Sequence, residues 1–499
     1  MPDINISMFK SAQSRIFAIL VVVFFFWGFV AASNDILIPI FKKKSNLEQW
    51  QSQLISFAFY IAYTIGSLIY IFVSSRLKQD LIQKIGYGKA IGVGLLVSAI
   101  GTLFFIPATA QDFVNDPNAG SVSFGLVLAG LIIVGLGFSL QQTVANPLAI
   151  GLGSKDSGSQ RLSLAGGINN FGTTIGPLLV SRAVFGELGS SLADDAGALD
   201  ITQLKVPYLI LGAIFVLFAV IFWRLRINLN EENVSTSDGN SSVSGNKSST
   251  SVLSYPQLWM GMIAIFLYVG VEVSTAGNLS EYLEKNMGIS TRNAAPFVSL
   301  FWASLMIGRW TGAAGSFGLK SIGKAILRVV LPFAAFGVYW LVNAQMGADL
   351  SQFVEYLGMV VVIVLADLIS KGNPVKQLFI YSSLGIVALL VGIFSGGFLA
   401  AMAFVSVGLF CSTLWPCIFT IAITGLGNMQ SKGSNYLIMM IMGGGFVSVF
   451  QGYLSGKVGI LNSYWVGVVC FAYLAYYAWR MKSYFKQQGI SLGPVEGGH

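Results

Sequence analysis

The stretch that decides the fold is RIFAILVVVFFFWGFVAASNDILIPIFKKK, residues 15–44. Its apolar run from Ile16 to about Phe41 is longer than the helix of about 20 residues that crosses a lipid bilayer. The run is also too long for a secretory signal, and no convincing small-residue cleavage site follows it, so we interpret it as a first membrane span. The whole chain of 499 residues has the same character, with 55% hydrophobic and 10% charged residues. Because soluble domains contain about 25% charged residues, a soluble globular protein is excluded.

Further apolar runs predict fourteen membrane helices. Six lie at about 15–41, 52–75, 90–110, 123–152, 162–186 and 206–226, and eight at about 255–281, 292–318, 324–346, 350–370, 376–396, 398–426, 433–456 and 459–480. The segment between the two groups, NLNEENVSTSDGNSSVSGNKSSTSVL, is polar and too poor in hydrophobic residues to order itself. We therefore predict an all-α polytopic membrane protein with an N-terminal bundle (1–226), a flexible cytoplasmic linker (227–254), a C-terminal bundle (255–486) and a tail (487–499).

The charges outside the spans predict the orientation. If the N-terminus is placed in the cytoplasm, most of the 29 lysines and arginines fall in cytoplasmic segments, as the positive-inside rule requires. The cluster Lys42–Lys44 is an exception, because it falls on the outer side. Both termini are then cytoplasmic. The basic residues are scattered in short loops and form no stripe that would bind nucleic acid.

Rare residue types exclude several kinds of catalytic site. His499 is the only histidine, and the three cysteines, Cys411, Cys417 and Cys470, lie in apolar runs. A zinc site, a Ser-His-Asp triad and a disulfide framework are therefore excluded. We expect no enzyme, no cofactor and no bound metal.

A repeated segment favours a transporter over a channel or a receptor. GLGSKDSGSQRLSLAGGINNFG begins at Gly151, and GLGNMQSKGSNYLIMMIMGGGF begins at Gly425. Each contains a Gly-Leu-Gly helix exit, a short polar loop and a glycine-rich next helix. Repeated halves are typical of secondary transporters, which bind substrate where the repeats meet near the middle of the membrane.

Two carboxylates inside the spans are the first candidates for chemistry, because a charge within a membrane helix is costly and usually functional. Asp35 shares a face of the first helix with small residues, and the alternative is that it extends into the headgroups. Glu272 lies on the first helix of the second half, with Tyr268 four residues before it and Thr275 three residues after it. Its alternative is a structural hydrogen bond to a neighbouring helix. If both carboxylates face one central cavity, they are candidates for coupling transport to an ion.

Amide and aromatic side chains in the spans are candidates for binding a neutral, polyhydroxylated ligand. Amides donate and accept hydrogen bonds, and aromatic rings stack on the apolar face of a sugar. The candidates are Gln142, Asn146, Asn169, Tyr60, Trp302 and Trp415. The alternatives are amides that only hold the bundle together and aromatics that face lipid.

Three further charged residues in the helices have structural or gating interpretations. Arg161 and Arg309 are interpreted as gating or structural residues, because a guanidinium group binds carboxylates and helix C-termini. Asp367 lies one turn from Lys371, which predicts an interfacial salt bridge between them.

Several segments resemble the fucose/glucose-galactose porters of the major facilitator superfamily. They are NDILIP (34–39), FAFYIAY (57–63), TVANP (143–147), SGSQRLSLAGGINNFG (157–172), IGRWTG (307–312) and IMGGGFVSVFQG (441–452). The resemblance implies the major facilitator fold of two six-helix bundles, alternating access, and sugar uptake driven by an ion gradient in a bacterial inner membrane. It also implies that Asp35 handles protons and sugar, and it makes Asn34 of the same segment a candidate sugar ligand.

The chain departs from the family pattern at two positions and in one insertion. Gln142 stands where the family has a glutamate, and a glutamine cannot take up a proton. Either Asp35 alone couples transport to the ion, or Glu272 has taken over the role of that glutamate, or the coupling ion is sodium. Gly166 replaces a sugar-binding glutamine, although Asn169 is kept, which leaves the sugar open. Two extra helices at about 324–372 have no expected role beyond packing against lipid. We predict a monomeric, cation-coupled hexose symporter with the proton as the expected ion; a sodium symporter, a uniporter and a non-transporting sugar sensor are the alternatives.

Overall fold

The computed structural model describes residues 12–44, 54–108, 120–153, 157–185, 205–225, 227, 251–289, 291–317, 319, 321–490 and 492. At 12, 32–44, 54–56, 120–123, 177–185, 291–293 and 321, the description covers the backbone alone. Every regular element in these residues is a helix. The prediction of an all-α fold is therefore confirmed. Helices suit so apolar a chain because they satisfy their backbone hydrogen bonds internally.

Six long helices form the N-terminal half. They are α1 (Ala12–Lys44), α2 (Leu54–Leu77), α3 (Tyr87–Leu103), α4 (Gly120–Gly151), α5 (Gly158–Phe185) and α6 (Lys205–Arg224). A short helix, Leu81–Ile85, connects α2 to α3. The Asp80 carboxylate caps it by accepting hydrogen bonds from the backbone of Ile82 and Gln83, and it also accepts one from the Tyr70 hydroxyl at 2.7 Å. These bonds fix the turn at the end of α2.

Eight helices form the C-terminal half. They are α7 (Pro256–Met287), α8 (Thr291–Ala313), α9 (Ser321–Gln345), α10 (Leu357–Ser370), α11 (Pro374–Phe394), α12 (Gly397–Cys411 and Leu414–Ile423), α13 (Gln430–Met439 and Gly443–Val458) and α14 (Trp465–Gln487). In the described part of the chain, 12 helical segments are long and apolar enough to span a membrane. The more polar α5 and α8 bring the number to the fourteen predicted spans. The side on which α6 ends and α7 begins is called the linker side below.

Glycines allow neighbouring helices to pack closely within each half. In the first half, α5 packs on α1, and in the second half α8 packs on α12. Gly28 permits the first approach, since a Cβ there would lie 1.9 Å from the carbonyl oxygen of Asn169. Gly308 permits the second, since its Cβ would lie 1.9 Å from Ser412 Oγ. Small residues at helix contacts are what membrane bundles use to bring backbones together.

The two extra helices, α9 and α10, pack beside α8 and α11. Apolar side chains cover the outer surface of α9, where Ile322, Ile326, Val330 and Leu341 are exposed. This surface agrees with the expected packing against lipid.

A buried polar cluster at the linker side adds a feature that was not expected of the extra helices. Arg328 of α9 pairs with Asp367 of α10 at 3.3 Å, and Gln377 of α11 donates to the same carboxylate at 3.1 Å. The ion pair of Asp367 is therefore with Arg328, rather than with the Lys371 that sequence spacing suggested. Lys371 ends α10 in a left-handed conformation with φ of 52°, so it does not continue the helical face on which Asp367 lies. The ion pair thus joins the two extra helices to each other, and the hydrogen bond from Gln377 attaches them to the bundle.

Candidate substrate and coupling site

The side chains of the first candidate pair, Asn34 and Asp35, lie outside the described residues, and only their backbone is described, within α1. Their roles as sugar ligand and coupling carboxylate stay predictions. The described part of α1 reaches α5 and α4 through neighbouring residues. Asn169 of α5 donates to the carbonyl oxygen of Phe24 at 2.9 Å, and Trp27 Nε1 donates to Gln141 of α4 at 2.9 Å. Both α4 and α5, which carry the candidate amides, are therefore held against the helix of Asp35.

Glu272 is half-buried in the middle of α7. The hydroxyl of Tyr268, one turn earlier and fully buried, donates a hydrogen bond to its carboxylate. This is one of the two neighbours that helical spacing suggested. The other, Thr275, is buried, and its hydroxyl has no hydrogen-bond partner among the described residues. The carboxylate's hydrogen-bond partner among the described residues is thus one tyrosine.

Arg309 of α8 connects this carboxylate to the other half of the molecule. Its Nη2 donates to the Tyr268 hydroxyl at 3.2 Å, and its Nη1 donates to Asn170 Oδ1 of α5 at 2.5 Å. Its Nε donates to the carbonyl oxygen of Ser412 at 2.8 Å. That carbonyl is available because α12 is interrupted between Cys411 and Leu414, and the carbonyl groups at a helix end lack intrahelical partners. A chain of hydrogen bonds therefore runs from Glu272 to Asn170.

The three predicted amide ligands have different environments. Gln142 is half-buried, and its amide nitrogen donates to the Tyr63 hydroxyl at 3.0 Å. Asn169 is also half-buried, whereas Asn146 is buried and donates to the carbonyl oxygen of Gln142 in its own helix at 3.0 Å. Gln142 and Asn169 are accordingly better placed to meet a ligand than Asn146.

The predicted aromatic residues are half-buried, and one of them lies beside the Tyr268 ring. Trp415 is close to Tyr268, with ring centroids 6.3 Å apart. Tyr60 of α2 lies against α13, where a Cβ on Gly444 would come within 3.3 Å of its ring. Trp302 packs on its neighbour Phe301. Of these three rings, Trp415 is therefore the one that lies beside the tyrosine bonded to Glu272 and Arg309.

Arg161 lies at the start of α5, away from this cluster. Its guanidinium donates to the carbonyl oxygens of Ala149, at 3.1 Å, and Ile150, and to the Ser157 hydroxyl at 2.6 Å. It therefore closes the C-terminal end of α4, where carbonyl groups would otherwise lack partners.

The two halves meet on the linker side along two lines of contact. The first, called the arginine seam, joins Ser163, Gly166 and Asn170 of α5 to Arg309 of α8. In addition to the Asn170 bond, the Ser163 hydroxyl donates to the Arg309 carbonyl oxygen at 2.9 Å. The Arg309 guanidinium donates to the Gly166 carbonyl oxygen at 3.2 Å. Gln160, nearer the start of α5, has its side-chain amide between two glycines, Gly315 and Gly372. A Cβ on Gly315 would lie 2.0 Å from that amide.

The asparagine seam joins Ser67 of α2 and Thr143 of α4 to Ser434 and Asn435 of α13. Asn435 donates to the Ser67 carbonyl oxygen at 3.1 Å and accepts from the Thr143 hydroxyl at 3.4 Å. Ser434 donates to the Thr143 carbonyl oxygen at 2.8 Å. Closer to the linker, a cavity of about 450 Å³ separates the ends of α2 and α13. The two seams lie farther from the linker than this cavity, and they close the linker side of the molecule there.

Sequence reasoning did not select Asn435 or Ser412 as site residues. Asn435 lies within the second copy of the repeated segment, so the repeat was a signal that could have pointed to it. Ser412 had no signal, because its role depends on a helix break inside a continuous apolar run.

Known proteins of the same architecture resemble the chain over nearly its whole length. The family model of the Major Facilitator Superfamily matches residues 16–354. The chain belongs to the major facilitator superfamily. This major facilitator is 31% identical over 461 residues to the glucose/galactose transporter of Brucella abortus biovar 1 (strain 9-941), with 92% of each chain covered. It is 27% identical to the L-fucose-proton symporter of Escherichia coli (strain K12), covering 93% of this chain and 92% of that one.

Solved structures agree with the family. The major facilitator superfamily transporter FucP, crystallised in the outward conformation, matches with a TM-score of 0.67 and 25% identity, over 93% of this chain and 98% of the other. The expected family and fold are thus confirmed, and this major facilitator is a multi-pass membrane transporter rather than an enzyme.

Proposed function

We propose that this protein imports a neutral hexose across a bacterial inner membrane by cation symport, with the proton as the coupling ion and alternating access as the mechanism. The observation that carries the proposal is the similarity, over 92% of both chains, to a relative named glucose/galactose transporter. The relative named L-fucose-proton symporter supports a proton as the ion.

Coupling needs a group that binds the ion, and two carboxylates are assigned to it. Asp35 is the main coupling group and Glu272 the second, one in the first helix of each half. Glu272 replaces the carboxylate that Gln142 lacks, because an amide takes up no proton. Within the described residues, no group of histidine, cysteine, aspartate and glutamate side chains is arranged to hold a metal ion.

The sugar would be bound between the halves by the half-buried amides of Gln142 and Asn169, with Asn34 from α1 and Asn146 as further ligands. Each amide both donates and accepts hydrogen bonds, as hydroxyl groups require. The rings of Trp415, Tyr60 and Trp302 would pack on the apolar faces of the sugar. This assignment is supported by the position of Trp415 beside the ring of Tyr268, whose hydroxyl donates to Glu272.

The linker side is assigned to the cytoplasm, with both termini on that side, by the distribution of lysine and arginine between the loops. The two seams then describe a carrier that is closed toward the cytoplasm. A substrate and an ion that bind one access state more tightly than the other shift the carrier between states. The protein is assigned as a monomer.

Uptake of labelled glucose, galactose and fucose into proteoliposomes tests the proposal, with an imposed pH gradient, an imposed sodium gradient, or neither. Accumulation of a hexose above its external concentration under the pH gradient alone is expected. Accumulation under the sodium gradient alone would replace the proton by sodium, and equilibration without accumulation would indicate a uniporter. Binding of a hexose without flux would identify a sensor and contradict transport.

A further inference from the structure

Arg309 is a buried cation whose hydrogen bonds, among the described residues, all go to neutral oxygen atoms in the linker-closed structure. Its described partners are the oxygens of Tyr268, Asn170, Gly166 and Ser412. Only 8% of the residue is exposed. Among the described residues, the ion pairs are Lys285–Glu281 and Arg328–Asp367, so that Arg309 has no direct acidic partner. A buried charge without an opposite charge is costly, and its hydrogen-bond acceptors must offset that cost.

Among the described residues, the hydrogen bonds of Arg309 lead to one carboxylate, that of Glu272, which is one hydrogen bond further away. Tyr268 accepts from Arg309 and donates to Glu272, so its hydroxyl separates the two charged groups and relays polarisation between them. The Cys411 thiol of α12 also lies within electrostatic range of both charged groups. The other helices packed here, α13 and α14, approach this part of α7 through Val447 and Gly467. In the part of the chain that the structure describes, Tyr268, Arg309 and Cys411 are thus the titratable or charged groups that face Glu272.

We propose that the charge on Glu272 controls the linker-side gate through Tyr268 and Arg309: a protonated Glu272 favours the closed state, and an ionised Glu272 favours the open state. The inference deepens the proposed proton coupling and rests on it. Tyr268 is the positioning residue, because it keeps the carboxylate and the guanidinium apart while the gate is closed.

The direction follows from what Arg309 loses when the halves separate. Opening the arginine seam removes two of its acceptors, Asn170 and the Gly166 carbonyl group, and leaves those on the C-terminal half. An ionised Glu272 then compensates the guanidinium by pairing with it directly, whereas a protonated one cannot. Because linkage is reciprocal, a step that favours ionised Glu272 also releases its proton on the side that opens.

A cross-link across the gate reports the closed state without sugar and without transport. Gln83 Nε2 donates to the carbonyl oxygen of Asn428 at 2.7 Å, and both residues are exposed on the linker side. The double variant Gln83→Cys/Asn428→Cys places a thiol on each half, while Cys411, Cys417 and Cys470 are buried. The purified protein in nanodiscs is equilibrated between about pH 5.5 and about pH 8.5. Disulfide formation is then measured with a short oxidant pulse at each equilibration pH, because the gate re-equilibrates within seconds after a pH change. The rate is divided by the rate at which the two single-cysteine variants react with a thiol reagent at the same pH, which corrects for thiol ionisation.

The reporter protein is expected to cross-link about fivefold or more efficiently after equilibration at the low pH, the size of a typical allosteric coupling. Glu272→Gln, which is permanently neutral, should cross-link efficiently after equilibration at either pH. Glu281→Gln is the matched control: Glu281 lies on the same helix in an exposed pair with Lys285, and its loss should leave the reporter's pH profile unchanged. A pH profile in Glu272→Gln that equals the reporter's would overturn the proposal, as would a pH-independent reporter.

Tyr268→Phe separates positioning from packing, because it keeps the ring beside Trp415 and removes only the hydroxyl. Its cross-linking should depend on pH less than half as steeply as the reporter's, at about equal yield of folded protein. Glu272→Asp keeps a carboxylate and should therefore retain a pH dependence of cross-linking. If Glu272→Asp loses it as well, the loss in Glu272→Gln is due to a disturbed fold and not to the missing charge. A Tyr268→Phe profile equal to the reporter's would remove Tyr268 from the relay. Because sugar is absent throughout, failure of hexose transport leaves this test intact.

Discussion

The two seams that close the linker side are built from two copies of one repeated segment, yet they use different chemistry. The first copy forms the start of α5 and contributes Asn170 to the arginine seam, where a buried guanidinium is the donor. The second copy forms the start of α13 and contributes Asn435 to the asparagine seam, where the bonded groups are neutral. The two copies supply these amides from different positions, since Asn170 is the twentieth residue of the first copy and Asn435 the eleventh of the second. The partner helices decide whether each contact responds to charge.

This difference assigns a separate task to each seam. A neutral hydrogen bond contributes to the stability of the closed state at any pH. A buried cation responds to the protonation of a nearby carboxylate, because its free energy depends on the opposite charge available to it. We expect the asparagine seam to set how readily the carrier opens and the arginine seam to couple opening to the ion.

Replacing Arg309 should have the largest effect. Arg309→Met leaves Asn170, the Ser412 carbonyl group and the Tyr268 hydroxyl without their donor. Removing one partner from a buried charged network costs about 3–5 kcal/mol. Gradient-driven hexose uptake in proteoliposomes is expected to fall about a hundredfold or more. Arg309→Lys keeps the charge but not the branched donor geometry, so it should retain part of the uptake. Uptake by Arg309→Met at the rate of the unmodified protein would show that the arginine seam does not couple opening to the ion.

Asn435→Ala tests the neutral seam and should have a smaller and different effect. It removes the bonds to Ser67 and Thr143, and an unpaired buried polar group costs about 1–3 kcal/mol. The initial rate of uptake should change about fivefold or more, because the balance between closed and open states shifts. The steady-state accumulation ratio should stay the same, since no charge is altered. A lost accumulation ratio would show that both seams take part in coupling.

Gly315→Ala should have the smallest effect, on the edge of the arginine seam. The added Cβ would lie 2.0 Å from the Gln160 amide, which is the far end of a flexible side chain and can move aside. Overpacking of this kind costs about 1 kcal/mol, so the Gln83–Asn428 cross-linking yield should fall about fivefold. Adding Gln160→Ala should restore it, because the clash is then absent. If the double variant stays as low as the single one, Gln160 is not the group that Gly315 accommodates.

Hydropathy predicted most of the fold because membrane helices need long apolar runs, and α1 and α4 are clear examples. It did not predict the interruption of α12 at Ser412 and Thr413, since a helix break inside an apolar run leaves the composition unchanged. Local spacing identified the contact of Glu272 with Tyr268, because residues four apart share a helical face. The bond between Arg309 and Asn170 was not predictable in this way, since it joins residues 139 positions apart in the two halves.

Sugar-induced proton movement is the most direct test of cation symport by this protein. In lightly buffered proteoliposomes without an imposed gradient, addition of the transported hexose should make the external medium more alkaline, because each sugar carries a proton inward. The same addition to Asp35→Asn vesicles should produce little change in pH while sugar exchange persists. Sugar entry into vesicles of the unmodified protein without any alkalinisation would contradict proton coupling.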